Sequence, residues 1–324
     1  MNKIILRGSA LFLNAEKKLG LSEIDYIMLN LPFECNYNCL KCCNRFRKYK
    51  KGNLTYDKIK NTILDLKKFG PRVLVIAGED EPTLNKNFRS IIKLAYENDL
   101  IPYVFTNGSQ IDQELAKFLS KYKVSLIINV DSMEPEKYDQ YVGVQGAFKQ
   151  AMNNLEYIKE LYKSNIYERK GKRVGSLAIN LVLNNENYTQ IPKLKKLCGE
   201  DIVLVVNEPI MIGRAKKLWD KFAKTNKIKL DKDVSYPLGT LAPGNECSYM
   251  RNGISIGSDG QVLTCAYALD SQGFYGSLDI NKFLEQRKVV MESVDNFYNK
   301  FGKSRCILRH PQYEKFIKSC ISIS

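Results

Sequence analysis

Three cysteines, Cys35, Cys39 and Cys42, stand at the spacing C-x3-C-x2-C in the segment Cys35-Asn36-Tyr37-Asn38-Cys39-Leu40-Lys41-Cys42-Cys43. Three thiolates on so short a loop can ligate three irons of a four-iron cubane and leave the fourth iron open. An open iron can take the amino and carboxylate groups of S-adenosylmethionine (SAM). One electron from the cluster then cleaves a carbon–sulfur bond and releases a 5′-deoxyadenosyl radical. The cofactor supplies the radical, and the protein supplies position and exclusion of water. The competing chemistry is a zinc site, which prefers four ligands and closure, and Cys43 could be the fourth. Cys43 could also donate a hydrogen atom to a product radical, or be a plain neighbour in the loop.

The composition narrows the setting. Nine cysteines in a chain with no signal-peptide layout suit metal or redox chemistry better than a disulfide framework. His310 is the single histidine, which argues against His-rich zinc hydrolases and His-based triads. The net charge of +15 could attract nucleic acid, an anionic lipid surface or an acidic peptide. The lysines, however, are scattered through nearly every helical pattern, and the densest run, Lys41 to Lys51, serves as well as a solvated loop. Nucleic acid is therefore not the favoured partner. No stretch approaches about 18 apolar residues, so no membrane span is expected. A cytoplasmic, reducing location is the expectation.

The elements that must carry these residues alternate in period. Strands are predicted near Tyr26–Leu31, Val73–Ala77, Ile101–Thr106, Val124–Val130, Ser176–Leu183 and Ile202–Val206. Helical patterns lie near Tyr56–Phe69, Phe88–Glu97, Gln113–Tyr122, Ala147–Tyr162, Ile191–Leu197 and Arg214–Lys224, with Thr55 and Asp112 as N-caps. Six strand–helix repeats in order mean an α/β fold with a parallel sheet, open or closed, and a site at the carboxyl ends of its strands. Those ends are polar: Gly78-Glu79-Asp80-Glu81, Thr106-Asn107-Gly108, Asn129 with Asp131, Asn184-Asn185 and Asn207-Glu208. The pattern loses periodicity around Thr225–Val234, where a domain boundary is placed. Beyond it, Ile254-Ser255-Ile256, the turn Ser258-Asp259-Gly260 and Val262-Leu263-Thr264 read as a hairpin.

The run Phe33-Glu34-Cys35 through Cys42 resembles the cysteine loop of the radical SAM superfamily. Lys41 stands where that family commonly has an aromatic residue packed on the adenine of SAM. Ala77-Gly78-Glu79-Asp80-Glu81-Pro82 is similar to the family's Gly-Glu-Pro motif, with Asp80 in place of a glycine. Val104–Gly108, Asn129-Val130-Asp131-Ser132 with Tyr138 and Gly143, and Gly213-Arg214-Ala215 fit further segments of the family. The resemblance implies a partial (β/α)6 barrel over residues 26–224. It also implies SAM contacts from Gly78, Glu81, Thr106, Asn107, Asn129 and Asp131, to which Tyr37 and Asn184 are added.

Residues 1–25 then form an N-terminal extension and 225–324 a small C-terminal α+β extension. Cys247 and Cys265 flank Gly260 as in the SPASM/twitch extensions of that family, which implies an auxiliary [4Fe-4S] cluster held by Cys247, Cys265, Cys306 and Cys320. The cysteine count favours the shorter twitch form, with His310 as an alternative ligand and Cys198 as packed core. The expected activity is a net oxidation, by dehydrogenation or cross-linking, of a small hydroxylated molecule or a peptide, with flavodoxin or ferredoxin as electron donor. Residues 1–25 are too few for a peptide-recognition domain, which lowers the peptide option. An epimerase using Cys43 and a zinc-stabilised nucleic-acid-binding protein are the alternatives.

Overall fold

The structure is a computed structural model that describes residues 4–14, 19–32, 34–42, 54–77, 81–184, 186–207, 214–215, 247–263, 274–277 and 282–302. The central elements are β2 (Tyr26–Leu29), α2 (Tyr56–Leu66), β3 (Val73–Ile76), α3 (Phe88–Glu97), β4 (Ile101–Thr106), α4 (Gln113–Lys121), β5 (Ser125–Asn129), α5 (Pro135–Val142), α6 (Ala147–Lys163), β8 (Leu177–Val182), α7 (Ile191–Cys198) and β9 (Val203–Asn207). Before them come β1 (Ile5–Leu6) and α1 (Ala10–Leu13), and within them the hairpin β6 (Tyr167–Arg169) and β7 (Lys172–Gly175). After them come α8 (Ser248–Asn252), β10 (Gly253–Ile256), β11 (Gln261–Leu263), β12 (Phe274–Ser277) and α9 (Phe283–Phe301).

Strands β2, β3, β4, β5, β8 and β9 pair in parallel, each with the next, as the alternation of periods predicts. Their apolar runs are buried on both faces, which is why they read as Val-Leu-Val-Ile rather than as alternating strands. On β5, Leu126 and Ile128 join the core under helices α2 to α7, whereas Ile127 joins a second core on the opposite face. That second core holds Met28, Val75, Tyr103, Ala178 and Val205 together with residues of α1, α8 and α9. The opposite face is therefore the concave interior of the partial barrel. The helices start where their residues allow: the Thr55 hydroxyl accepts from the Lys58 amide at 3.3 Å and the Asp112 carboxylate from the Leu115 amide at 2.7 Å.

The C-terminal residues share this sheet. Strand β10 pairs in parallel with β2, Gly253 opposite Tyr26, and β11 returns antiparallel to it, which forms the predicted hairpin. Arg287 of α9, buried, donates to the carbonyls of Gly253 at 3.0 Å, Glu23 at 2.7 Å, Gly20 at 3.3 Å and Arg251 at 3.3 Å. One guanidinium thus fastens α9 to the amino ends of β2 and β10.

Helices α1, α5 and α9 and the β6–β7 hairpin were not foreseen from the sequence. Helix α5 buries only Tyr138 and Val142, too little for a helical stripe to show. The strand residues of β6 are all exposed and charged or aromatic, so no alternation marks them. The expected helix near Arg214–Lys224 lies outside the described residues apart from Arg214 and Ala215, which are helical.

Candidate active site at the carboxyl rim of the sheet

The cysteine loop leaves the carboxyl end of β2 and is held by its own chain on four sides. The Glu34 carbonyl accepts from the Glu81 amide at 2.8 Å. The Asn36 side chain donates to the Ser109 hydroxyl at 2.8 Å and accepts from the Asn107 side chain at 2.9 Å, both on the loop after β4. The amides of Asn38 and Leu40 donate to the carbonyls of Val142 and Tyr141 at 2.8 and 2.9 Å, the last turn of α5. Finally Arg214 Nη1 donates to the Asn38 carbonyl at 2.9 Å, the Asn38 Oδ1 at 2.5 Å and the Cys39 carbonyl at 3.2 Å, and its amide reaches the Cys42 carbonyl at 2.9 Å.

Gly143 makes the third of these contacts possible. It ends α5 at φ 68°, and a Cβ there would lie 2.8 Å from the Asn38 carbonyl oxygen. Only a residue without a side chain lets the loop backbone come so close.

Cys35 is exposed, Cys39 and Cys42 are half-buried, and none of the three is in a disulfide. The Cys39 thiol is pushed up to about 12 by burial, with Lys41 opposing and Cys42, Asp131 and Cys35 adding to the rise. These thiolates repel one another, and a cationic cluster is what would let them ionise together. The donor set, thiols without imidazole, fits iron–sulfur ligation. Among the described residues no group of three Cys, His, Asp or Glu side chains converges as the ligands of a single metal ion do.

The other expected site residues fall into two groups. Glu81, Thr106 and Asn107 build the rim. Glu81 is buried and accepts from the Thr83 hydroxyl at 2.6 Å, the Thr106 hydroxyl at 2.6 Å and the Asn107 amide at 2.7 Å. Burial raises its pKa and these donors oppose the rise. Asn184 accepts from the amides of Glu186 and Asn187 and so shapes the turn after β8. Tyr37 is buried beneath the cysteine loop, its hydroxyl pushed up to about 12 by burial, with a hydrogen bond to Ser109 opposing.

The second group faces the concave side. Asp131 forms an ion pair with Lys41 and accepts from the Val182 amide at 2.9 Å. Lys41 thus ties the cysteine loop to the end of β5. Asn129 Oδ1 accepts from the Asn180 side chain at 2.6 Å, and Asn180 Oδ1 from the Asn207 side chain at 2.7 Å. Gly78, Cys43, Cys265, Cys306, His310 and Cys320 lie outside the described residues. Cys247 is buried as the N-cap of α8, its amide donating to the Tyr298 hydroxyl at 3.2 Å.

Asn36, Ser109 and Asn180 were missed as site residues. Asn180 had a signal, a polar residue inside the apolar run Leu177–Val182. Asn36 and Ser109 had none, because their partners are far away in sequence.

The model of the radical SAM superfamily matches residues 29–198, from the strand that feeds the cysteine loop to the end of α7. This chain belongs to the radical SAM superfamily. Membership implies a [4Fe-4S] cluster and SAM as cofactors. An Fe-coproporphyrin III synthase of Methanosarcina barkeri is 26% identical over 239 residues, 68% of this chain and 56% of that protein. A tungsten-containing aldehyde ferredoxin oxidoreductase cofactor-modifying protein of Pyrococcus furiosus is 27% identical over 186 residues, 56% of this chain and 51% of that protein. The chain thus spans about half the length of these relatives. The solved structure of native anSMEcpe with bound AdoMet aligns with a TM-score of 0.58 at 15% identity, over 92% of this chain and 100% of that one. Streptococcus suis SuiB bound to its precursor peptide SuiA aligns with a TM-score of 0.54 at 16% identity, over 79% of this chain and 62% of that one. At such identities the likeness is one of fold, the partial barrel of this superfamily.

Proposed function

We propose that Cys35, Cys39 and Cys42 ligate the radical SAM cluster and that the enzyme carries out a net oxidation of a substrate held in the barrel. The observation that carries this is the bracing of the cysteine loop on four sides, which fixes three thiols at the rim where parallel α/β sheets form their sites. SAM bound there would supply a 5′-deoxyadenosyl radical able to take a hydrogen atom from an unactivated C–H bond. The chain's own part is geometric. Glu81, Thr106 and Asn107 stiffen the rim, Asn36 and Arg214 hold the loop to it, and Lys41 and Asp131 join the loop to β5. Asn129 and Asp131, on the concave side, are the groups we assign to SAM or to the substrate beside it.

We assign Cys247, with Cys265, Cys306 and Cys320, to an auxiliary cluster. In support, Cys247 is buried at the amino end of the concave face, whereas the cysteine loop lies at the carboxyl end. A substrate in the barrel would lie between the two, well placed to give up its second electron. The reaction we assign is oxidation of a small hydroxylated molecule or a peptide, with a flavodoxin- or ferredoxin-type reductant as partner. No helix among the described residues is long and apolar enough to cross a membrane.

The test is iron counting on anaerobically reconstituted protein: about eight irons per chain for two clusters and about four for one. Substitution of Cys247 by Ala is expected to remove half the iron and leave SAM cleavage measurable. Full iron retention in that variant contradicts the auxiliary assignment.

A further inference from the structure

The loop that follows β4 is braced from outside by one row of helix α6. The buried residues of α6, Ala147, Ala151, Leu155, Ile158 and Tyr162, recur at helical spacing and pack into the core. Gln150, Asn154 and Tyr157 each stand one position before a buried residue and form the neighbouring row. All three spend their donors on carbonyls of one short stretch. Gln150 Nε2 donates to the Ser109 carbonyl at 2.9 Å. Asn154 Nδ2 donates to the carbonyls of Gly108 at 2.9 Å and Ser109 at 3.2 Å, and the Tyr157 hydroxyl donates to the Ile111 carbonyl. The same hydroxyl lies 3.0 Å from Asn154 Oδ1, which orients the Asn154 carboxamide with its nitrogen toward the loop.

The amides of the loop are turned the other way. The Asn107 amide donates to Glu81 at 2.7 Å, the Gly108 amide to the Thr106 hydroxyl at 3.0 Å and the Ser109 amide to Asn107 Oδ1 at 2.8 Å. On that side the loop also presents the Ser109 hydroxyl and the Asn107 side chain, which hold the two ends of the Asn36 carboxamide at 2.8 and 2.9 Å. Asn36 follows Cys35, the exposed member of the three thiols. One line of contacts thus runs from α6, through the β4 loop and Asn36, to the first cysteine.

We propose that Asn154 is a positioning residue for Cys35, acting through Gly108, Ser109 and the grip of their loop on Asn36. This rests on the reading of Cys35, Cys39 and Cys42 as cluster ligands. Asn154 and Tyr157 are half-buried and Gln150 is exposed, so water could serve these carbonyls as well. What three side chains on one helix row add is fixed position. Hydrogen bonds weaken steeply as alignment is lost, so slack in the Gly108–Ser109 turn loosens both Asn36 bonds together. Loss of a residue standing behind a metal ligand typically costs about 10- to 100-fold in metal affinity or activity.

The experiment compares full-length parent, Asn154→Leu, Asn154→Asp and Asn165→Leu, each reconstituted without oxygen. Asn165 is the control: it lies just beyond α6 and donates to the Ser120 carbonyl at 3.4 Å and hydroxyl at 3.1 Å, at the end of α4 away from the cysteine loop. Asn154→Asp keeps the volume and the Tyr157 contact, and carries the test should the leucine variant not fold. The readouts are melting temperature, iron per chain, the electron paramagnetic resonance spectrum of the dithionite-reduced protein with and without SAM, and the KM for SAM in 5′-deoxyadenosine release. The spectral change on adding SAM picks out the cluster with the open iron. Both Asn154 variants are expected to alter that change and to raise the KM for SAM roughly tenfold. Asn165→Leu is expected to melt a few degrees below the parent and to match it in both. Iron loss from a folded Asn154 variant, with Asn165→Leu fully loaded, also supports the proposal. Asn154 variants with the parent's spectra and KM, or an Asn165→Leu that moves both as far, overturn it. Failure of the underlying reading shows itself separately, as a parent spectrum that SAM leaves unchanged.

Discussion

Substitution of Gly143 by Ala separates a tight backbone approach from ordinary left-handed strain. Gly143 and Gly146 both hold positive φ, 68° and 79°. A Cβ at Gly146 meets nothing within 4 Å, whereas one at Gly143 falls 2.8 Å from the Asn38 carbonyl oxygen and 3.0 Å from the Asn38 Cβ. Gly146→Ala should therefore cost only the left-handed penalty, about 1 kcal/mol. Gly143→Ala adds a clash that pushes the cysteine loop off α5 and strains the two bonds from Asn38 and Leu40 to the carbonyls of Val142 and Tyr141. At about 1 kcal/mol per bond the total is about 3 kcal/mol. The difference of about 2 kcal/mol corresponds to roughly thirtyfold in the docking equilibrium of the loop. The assay is iron and sulfide content after anaerobic reconstitution, read beside thermal unfolding. Gly146→Ala should load as the parent does, and Gly143→Ala should load poorly and melt several degrees lower. Two variants alike in both measures would refute the reasoning that α5 seats the cluster loop.

Three further outcomes are expected. Arg214→Lys cannot reach the Asn38 and Cys39 acceptors together, so air-exposed protein should lose its iron several times faster; an unchanged rate removes Arg214 from the clamp. Arg287→Met strands buried carbonyls at Gly253 and Glu23, at about 1–3 kcal/mol each, and should lower stability in urea by about 3 kcal/mol or more. Cys198, pushed up to about 12 by burial with Lys159 opposing, stays protonated when folded but ionises near 8.5 when unfolded. The folded state then holds the extra proton between those values, so the Cys198 contribution to stability is fully present below about pH 8.5 and is lost as pH rises toward 12. Denaturant melts of parent and Cys198→Ala at pH 7 and pH 10 should show the gap between them narrowing at the higher pH.

The sheet was legible because each parallel strand is a short apolar run closed by polar residues, and the helices carry their own caps at Thr55 and Asp112. The cysteine loop was legible because its three thiols are close in sequence. What holds that loop was not, because Arg214 reaches Asn38 across 176 positions and Asn36 meets Ser109 across 73. Glu81 shows the same limit: its type marks a rim carboxylate, but only the fold shows it occupied by Thr83, Thr106 and Asn107. Helix α9 and its Arg287 escaped notice because their anchoring carbonyls belong to distant backbone, which no side-chain pattern records.

The measurement that bears most directly on the whole account is SAM cleavage by the parent protein and by Cys35→Ala, Cys39→Ala and Cys42→Ala, each reconstituted without oxygen and reduced with dithionite. The parent should release 5′-deoxyadenosine and methionine, and each variant should release neither. Release undiminished in any one of the three variants, or none from an iron-loaded parent, would contradict it.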